Sequence, residues 1–137
     1  MNPSSKIDAI IAAVYDAWNR HDMAAFAALF APNADFVNVL GMQWRGRPEI
    51  QATHVTLHRT IFRNSTNRVL SHTVRFPNPA TALVHINWEM TGGEGVPGWD
   101  VGAVRTGIMT LVLVEEDGQW LITAAHNTDT VAIPMPQ

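Results

Sequence analysis

Hydrophobic residues recur at helical spacing in the first part of the chain. Between residues 7 and 18 they lie three and four positions apart, which predicts a helix with one buried face. Ser4 or Ser5 is expected to cap this helix, because a serine hydroxyl can accept from the free N–H groups of the first turn. The residues of the buried face are Ile7, Ile11, Val14, Tyr15 and Trp18.

A second helix is predicted to follow Asp22, whose carboxylate suits an N-cap. Its apolar stripe is Met23, Phe26, Ala27 and Phe30. Pro32-Asn33 is expected to end it, since proline disfavours the helical conformation of the preceding residue. A strand is then predicted over Asp35–Leu40, with Phe36 and Asn38 on one face, and Gly41 turns the chain into Met42–Trp44.

A third helix is predicted from Pro48 to about Phe62, because proline is tolerated in a first turn. We expect its inward stripe to contain His54 and Leu57 between Ile50 and Ile61, with His58 alongside.

From residue 67 onward the pattern indicates strands, which are rich in β-branched and apolar residues. Asp117-Gly118 between two apolar runs is a strong hairpin signal. The four predicted strands are Val69–Phe76, Thr81–Met90, Val104–Val114 and Trp120–Val131. This order of elements predicts a single α+β domain over residues 1–137, in which a cone-shaped, curved antiparallel sheet wraps three N-terminal helices and leaves a pocket at its open end. The final Pro134–Gln137 is predicted to be an unstructured tail.

Composition narrows the function classes. With a hydrophobic content of 47% and a net charge of −3, the chain is expected to be globular and not to bind nucleic acid. The absence of cysteine excludes disulfides, thiolate metal sites and a cysteine nucleophile. The first 18 residues have no basic n-region and their apolar stretch is interrupted by Asp8 and Asp16, so we expect neither a signal peptide nor a membrane span, and a cytoplasmic location by default.

Several short segments carry a resemblance to a known family. They are Trp18-Asn19-Arg20-His21-Asp22, Leu29-Phe30-Ala31, Ala34-Asp35-Phe36, Arg45-Gly46, Trp120-Leu121-Ile122 and His126-Asn127-Thr128. Together they resemble the nuclear-transport-factor-two-like superfamily, in its SnoaL-like and ketosteroid-isomerase-like branch, and most closely the SgcJ/EcaC-type group. The resemblance implies a cystatin-like, SnoaL-like roll and a homodimer formed through the sheet. It leaves the function open, because these folds host isomerases, hydrolases, cyclases and simple binders.

The resemblance also argues against ketosteroid isomerase chemistry. Ketosteroid isomerases carry an aspartate base on the strand after the second helix, and Asn38 stands at that position here. An amide cannot take up a proton at neutral pH. Val14 stands at the position of the family's tyrosine donor, and Tyr15 is one residue away.

His54 and His58 lie four residues apart on the third predicted helix, so their side chains can point in one direction. They are candidate catalytic residues together with Asn38, as hydrogen-bond donors or a general base in a pocket. The alternative is that His54 lies at the edge of the core and that His58 is partly exposed. A metal site would need a third ligand, which the sequence does not specify, so no metal and no cofactor are predicted.

For the later strands, the sequence does not decide which face points toward the pocket. His126 and Asn127 cannot both face inward on a regular strand, and both possible faces are apolar. On the predicted strand Thr81–Met90, His85, Asn87 and Glu89 share one face, which we interpret as solvent-facing. The apolar residues from Ala82 to Met90 on the other face would form the core or a dimer surface. The run Gly93–Gly98 is interpreted as a hairpin loop and not a nucleotide site, with Trp99 either a lid or part of the pocket rim.

These observations predict a protein that binds a small hydrophobic or cyclic metabolite in the pocket of the cone. It would catalyse isomerisation, hydrolysis or cyclisation, or else act as a non-catalytic carrier or a dimeric interaction module. The predicted ligand-binding residues are Tyr15, Trp18, Phe36, Asn38, His54, Leu57, His58, Trp99, His126 and Asn127.

Overall fold

The computed structural model describes residues 2–100 and 102–133. Three helices and six strands follow one another in the order α1 (Pro3–Asn19), α2 (Met23–Ala27), β1 (Phe30–Val37), β2 (Gln43–Arg45), α3 (Arg47–Arg59), β3 (Thr66–Asn78), β4 (Thr81–Thr91), β5 (Arg105–Glu116) and β6 (Gln119–Asp129). The predicted α+β class is confirmed, with the helices against a curved open sheet. The segment Pro134–Gln137, predicted to be a tail, lies outside the described residues.

The six strands form one sheet in the order β2-β1-β6-β5-β4-β3. All neighbouring pairs are antiparallel except β1 and β6, which run parallel, with Phe36 opposite Ala125. The sequence pattern predicts a wholly antiparallel sheet. The observed sheet is instead mixed, because it contains this one parallel pair. The parallel pair arises because the chain reaches β6 only after the β3–β5 meander, and the last strand then lies beside the first.

The second helix is shorter than predicted. Asp22 is its N-cap, as expected, and its side chain accepts from the Ala25 N–H at 3.0 Å. The helix ends at Ala27, however, and Phe30 already belongs to β1. Phe30 is buried as a residue of β1. The register between β1 and β6 shifts between Phe30 and Asp35. Such a bulge accommodates Pro32, which cannot donate to a regular ladder.

Helix caps differ partly from the predictions. The first helix is capped by Asn2, whose Oδ1 accepts from Ser5 N at 2.8 Å, and not by Ser4 or Ser5. The third helix begins at Arg47 after Gly46, which has a φ of 86° that favours glycine, and it ends at Arg59. The Asp117-Gly118 hairpin is confirmed, since both residues have positive φ and Glu116 pairs with Gln119.

The core lies between the helices and the concave face of the sheet. On β4 the alternating residues Ala82, Val84, Ile86, Trp88 and Met90 are buried, whereas His85 and Asn87 are exposed. The solvent-facing interpretation of the polar set is therefore confirmed, and the apolar set is core within one chain, so it cannot be a dimer surface.

Glycine at position 107 allows Trp88 to lie flat across β5. Trp88 and Gly107 are cross-strand partners, and a Cβ on Gly107 would overlap with the Trp88 ring and the Thr128 carbonyl. The first helix is tied to the start of β3, because the Asn19 side chain both donates to Asn67 O and accepts from Asn67 N at 2.7 Å.

Candidate functional site

A small internal cavity lies between α3 and the concave face of the sheet. Its volume is about 20 Å³, which is enough for roughly one water molecule. Its lining comes from α1, β1 and the turn after it, α3 and the turn after it, β4, β5 and β6. The lining residues are Trp18, Phe36, Asn38, Val39, His54, Phe62, Trp88, Met90, Arg105 and Asn127.

His54 enters this cavity from α3 through a box of aromatic rings. The ring centroids of Phe36, Phe26 and Trp44 lie 4.8, 4.9 and 5.2 Å from that of His54. Its Nδ1 lies 2.8 Å from the Ile50 carbonyl oxygen, which can only accept, so Nδ1 carries the proton. Burial lowers the pKa of His54 to about 4. At neutral pH the imidazole is therefore uncharged, and Nε2 is a hydrogen-bond acceptor.

Asn38 follows β1 and holds the turn into β2. Its Oδ1 accepts from Leu40 N at 3.0 Å and from Met42 N at 2.9 Å. Because both partners are N–H donors, the amide orientation is determined, and Nδ2 is the remaining atom. Asn38 is only 7% exposed, and Nδ2 is buried without a partner among the described residues.

Arg105, the first residue of β5, brings a positive charge to the edge of the cavity. Its guanidinium pairs with Asp129 on β6 and lies 3.6 Å from the centroid of the Trp99 ring and 5.7 Å from that of Trp88. The carboxylate and the aromatic faces both attract the guanidinium at this partly buried position. Arg105 Nε is nevertheless buried without a partner within the described part of the chain.

Asn127 faces the cavity from β6. Its Oδ1 accepts from Trp88 Nε1 at 2.6 Å, which again determines the orientation of the amide. This contact settles the choice that periodicity left open, because Asn127 faces inward and His126 is exposed on the outer face of the sheet.

His58 lies one turn after His54 but does not line the cavity. Its Nδ1 is 2.8 Å from Nδ1 of His21, and its ring packs 4.3 Å from Trp18. Burial, with the nearby His21 and His54, lowers the pKa of His58 to about 3. His58 is buried and not partly exposed as the alternative interpretation had it.

The structure thus brings together five of the predicted residues at one cavity and leaves five elsewhere. Trp18, Phe36, Asn38, His54 and Asn127 line the cavity. The other predicted residues have different surroundings.

Tyr15 is buried on α1, and its hydroxyl has no partner among the described residues. Leu57 is half-buried and lines a shallow groove of about 300 Å³ outside the cone with Met42 and Trp44. Trp99 lies at a hollow of about 370 Å³, hereafter the outer hollow. The lining residues of the outer hollow are Pro97, Gly98, Trp99, Val104, Arg105, Thr106, Asp129, Thr130 and Val131.

The sequence did not lead us to Arg105 and Asp129, although the alternation of side chains along β5 and β6 places both on inward faces. Arg105 shares its face of β5 with buried Met109 and Leu111, and Asp129 shares its face of β6 with Asn127. Arg105 begins β5 and Asp129 ends β6, each in line with inward-facing residues, and this pairing of opposite charges would have identified them.

A comparably large hollow, about 360 Å³, lies at the opposite end of β5 and β6, beside the Asp117-Gly118 turn. It contains none of the predicted site residues, and its charged groups, Glu116 and Asp117, are exposed. The side chains of Asn38 and Arg105, each with a donor that lacks a partner within the described residues, line the internal cavity and not this hollow.

Within residues 2–100 and 102–133, no three histidine, aspartate or glutamate side chains form a group suited to a metal ion. None of the helices in the same ranges has the length and apolar character of a membrane span.

Comparison with solved structures supports the fold assignment. An uncharacterised cystatin-like protein from Caulobacter vibrioides is 30% identical, with a TM-score of 0.86 over 93% of this chain and 89% of that chain. A cystatin-like domain of unknown function from Nostoc punctiforme is 28% identical, with a TM-score of 0.79 over 97% of this chain and 82% of that one. A protein from Novosphingobium aromaticivorans, provisionally named a scytalone dehydratase, is 16% identical, with a TM-score of 0.78 over 93% and 84% of the two chains, and at that identity shows the fold alone.

No curated protein matches the chain. A family model, by contrast, matches residues 11–122, which is most of the sequence. The segments that carry the resemblance from Trp18 to Ile122 all lie within this match. The protein belongs to the SnoaL-like domain family.

Proposed function

We propose that the protein binds a small, largely apolar molecule with one polar group, which is held at the internal cavity of the cone. The observation that carries this proposal is the pair of buried, unpartnered donors Asn38 Nδ2 and Arg105 Nε, both from residues that line this cavity. A buried donor without a partner costs about 1–3 kcal/mol, and among the described side chains with such an atom these two are the ones that line the cavity. An oxygen atom of a ligand would satisfy these donors.

The space around the cavity supports a ligand that extends outward. The internal cavity alone is too small for more than one oxygen atom, since its volume is about 20 Å³. The outer hollow, at about 370 Å³, falls within the usual range of small-molecule sites, about 300–1,000 Å³. Arg105 lines both spaces. The apolar body of the ligand would lie against Trp99 and Val131, with its polar group directed past Arg105.

Binding without proton abstraction is the favoured form of this function. A general base works best when its pKa is near the working pH, and burial lowers the pKa of His54 to about 4. Asn38 cannot serve as a base. Enzyme activity is the second candidate, supported by the dehydratase name of one structural neighbour and by the free Nε2 of His54.

The proposal is tested by nuclear magnetic resonance titration with three bicyclic probes of matched size, 1-indanol, 1-indanone and indane. We expect at least one probe to shift the Asn38 side-chain amide and the Trp88 indole N–H signals, because both residues line the cavity. The matched control is His126→Ala, on the outer face, which should leave the shifts unchanged. If none of the probes shifts these signals at millimolar concentration, the proposed function is wrong.

The same samples separate a carrier from an enzyme. A dehydratase would convert 1-indanol to indene and water, whereas a carrier returns the alcohol unchanged. Indene formation that is lost in His54→Ala would establish catalysis, and the absence of turnover with bound 1-indanol would support a carrier.

A further inference from the structure

The hydrogen-bond donors and acceptors around the cavity determine which kind of ligand group can bind there. The orientation of Asn38 is determined, because its Oδ1 accepts from two backbone N–H groups at 3.0 and 2.9 Å. Asn38 can therefore offer only the donor Nδ2 to the cavity. Arg105 likewise offers only a donor, since a guanidinium has no acceptor.

His54 supplies the opposite character. Its Nδ1 donates to the Ile50 carbonyl at 2.8 Å, so the neutral ring leaves Nε2 as an acceptor. Nε2 makes no hydrogen bond to protein within residues 2–100 and 102–133. His54 as a whole is only 2% exposed, and it is one of the residues that line the cavity.

A single oxygen atom that both accepts and donates is the occupant that fits all three residues. A carbonyl oxygen could accept from Asn38 but would leave His54 Nε2 unpaired. An ammonium group could donate to His54 but would face two donors. A hydroxyl oxygen has two acceptor positions and one donor, which is the combination that two donors and one acceptor require.

We propose that the cavity is a site for one hydroxyl oxygen, and that the ligand of this protein is therefore an alcohol on an apolar body. This inference rests on the proposed function and names the ligand class of the same site. The cavity is large enough for one water molecule in the absence of ligand, and the hydroxyl of the ligand would replace it. Water and alcohol share the chemistry that the cavity recognises, so the test must distinguish them.

The first test compares the affinities of 1-indanol, 1-indanone and indane for the wild-type protein. We expect 1-indanol to bind roughly 5-fold more tightly than 1-indanone, the effect of one neutral hydrogen bond. His54→Phe keeps an aromatic ring and removes the acceptor, so it should abolish this preference while indane binding changes little. A merely structural role for His54 would instead weaken all three probes alike.

A second variant protects the test against misfolding of His54→Phe, which also loses the bond to Ile50. Asn38→Asp retains an oxygen for Leu40 N and Met42 N and replaces the donor Nδ2 with a second oxygen. At pH 7.5 its carboxylate repels a carbonyl oxygen but can accept from a hydroxyl, so this variant should increase the preference for the alcohol, and His126→Phe on the outer face should not change it.

The outcomes separate the two proposals. Equal binding of 1-indanol and 1-indanone overturns the hydroxyl inference and leaves the proposed function standing, whereas no binding of any probe overturns both. A crystal structure with 1-indanol should show its oxygen within hydrogen-bond distance of Asn38 Nδ2 and His54 Nε2. If a water remains there and the alcohol lies elsewhere, the position is a structural water site only and the ligand class is wrong.

Discussion

At the scale of single residues, burial decides the protonation state of His54. His54 is enclosed by aromatic rings, and the desolvation of its charged form lowers its pKa to about 4. An unfolded histidine titrates near 6.5, so between these values the unfolded chain binds more protons than the folded one. Stability from this group is complete above pH 6.5 and is lost as the pH falls toward 4.

We therefore predict that the free energy of unfolding decreases by about 2 kcal/mol between pH 7 and pH 5 through His54. Urea unfolding at several pH values measures this slope. His54→Phe should reduce this slope by about half, because the lowered pKa of His58 contributes to it as well, while His126→Gln, an exposed histidine, should retain it. An unchanged slope in His54→Phe would contradict the assignment of a neutral, buried imidazole.

The pair His21 and His58 adds a local acid sensitivity. Their Nδ1 atoms are 2.8 Å apart, so one of them must donate to the other, and the contact is lost when both rings are protonated. Because His58 packs on Trp18 at 4.3 Å and burial lowers the pKa of His58 to about 3, we predict that Trp18 fluorescence changes as the pH falls toward 3. His21→Ala should remove this change, and a transition of the same amplitude in that variant would show that the pair is not its source.

At the scale of elements, glycine at one position of β5 determines the packing of two strands. A methyl group at Gly107 would overlap with Trp88 and with the Thr128 carbonyl on the neighbouring strand. We predict that Gly107→Ala destabilises the protein by about 2–3 kcal/mol, because overpacking forces the indole out of place. Thr110→Ala, on the outward face of the same strand, is the control and should cost less than about 0.5 kcal/mol in the same denaturant titration.

The short second helix depends on its cap. Asp22 Oδ1 accepts from Ala25 N at 3.0 Å, and five residues offer few other hydrogen bonds. We predict that Asp22→Ala lowers the Tm by roughly 3–5 °C. Asp16→Ala is the matched control, since it removes an exposed ion pair with Arg20 but no cap, and it should change the Tm by less than about 1 °C.

At the scale of the whole molecule, the outer face of the sheet is where a homodimer would form. The inward residues of β4 are fully enclosed within one chain, so only the outward residues are available. Leu83 and Val112 are cross-strand neighbours on this face and are half-buried, and Ile108 is 37% exposed. We propose that two copies pair across this patch.

Sedimentation velocity at about 100 µM tests this assembly. We expect a species of about twice the 15.1 kDa chain mass, and Ile108→Lys should shift it to the monomer. Leu40→Lys, in the turn between β1 and β2, changes an exposed apolar residue outside the sheet and should leave the assembly intact. A monomeric wild-type protein would make the dimer prediction wrong.

Local pattern alone was enough for much of the fold. The alternation on β4 identified its buried face, and the Asp117-Gly118 turn was identified because positive φ at both central residues suits these residue types. The resemblance added the family and the expectation of a cone. By contrast, the predicted end of α2 was too late in the sequence. The spacing of Phe30 fits the helical stripe and the strand equally well, and in the structure Phe30 is buried beside β6 as part of the strand.

The sequence by itself determined the element types, most of their bounds and the candidate polar residues, because helix and strand periodicities are local properties of the chain. Only the tertiary structure decided which of these residues meet. Asn38 and His54 share the cavity with Arg105 because β1 and β5 both flank β6 in the sheet, and α3 covers the same concave surface. His126 and Asn127 were equivalent by alternation, and the indole of Trp88, 39 residues earlier in the chain, turned Asn127 inward. Such contacts join residues that are distant in sequence, and no local pattern encodes them.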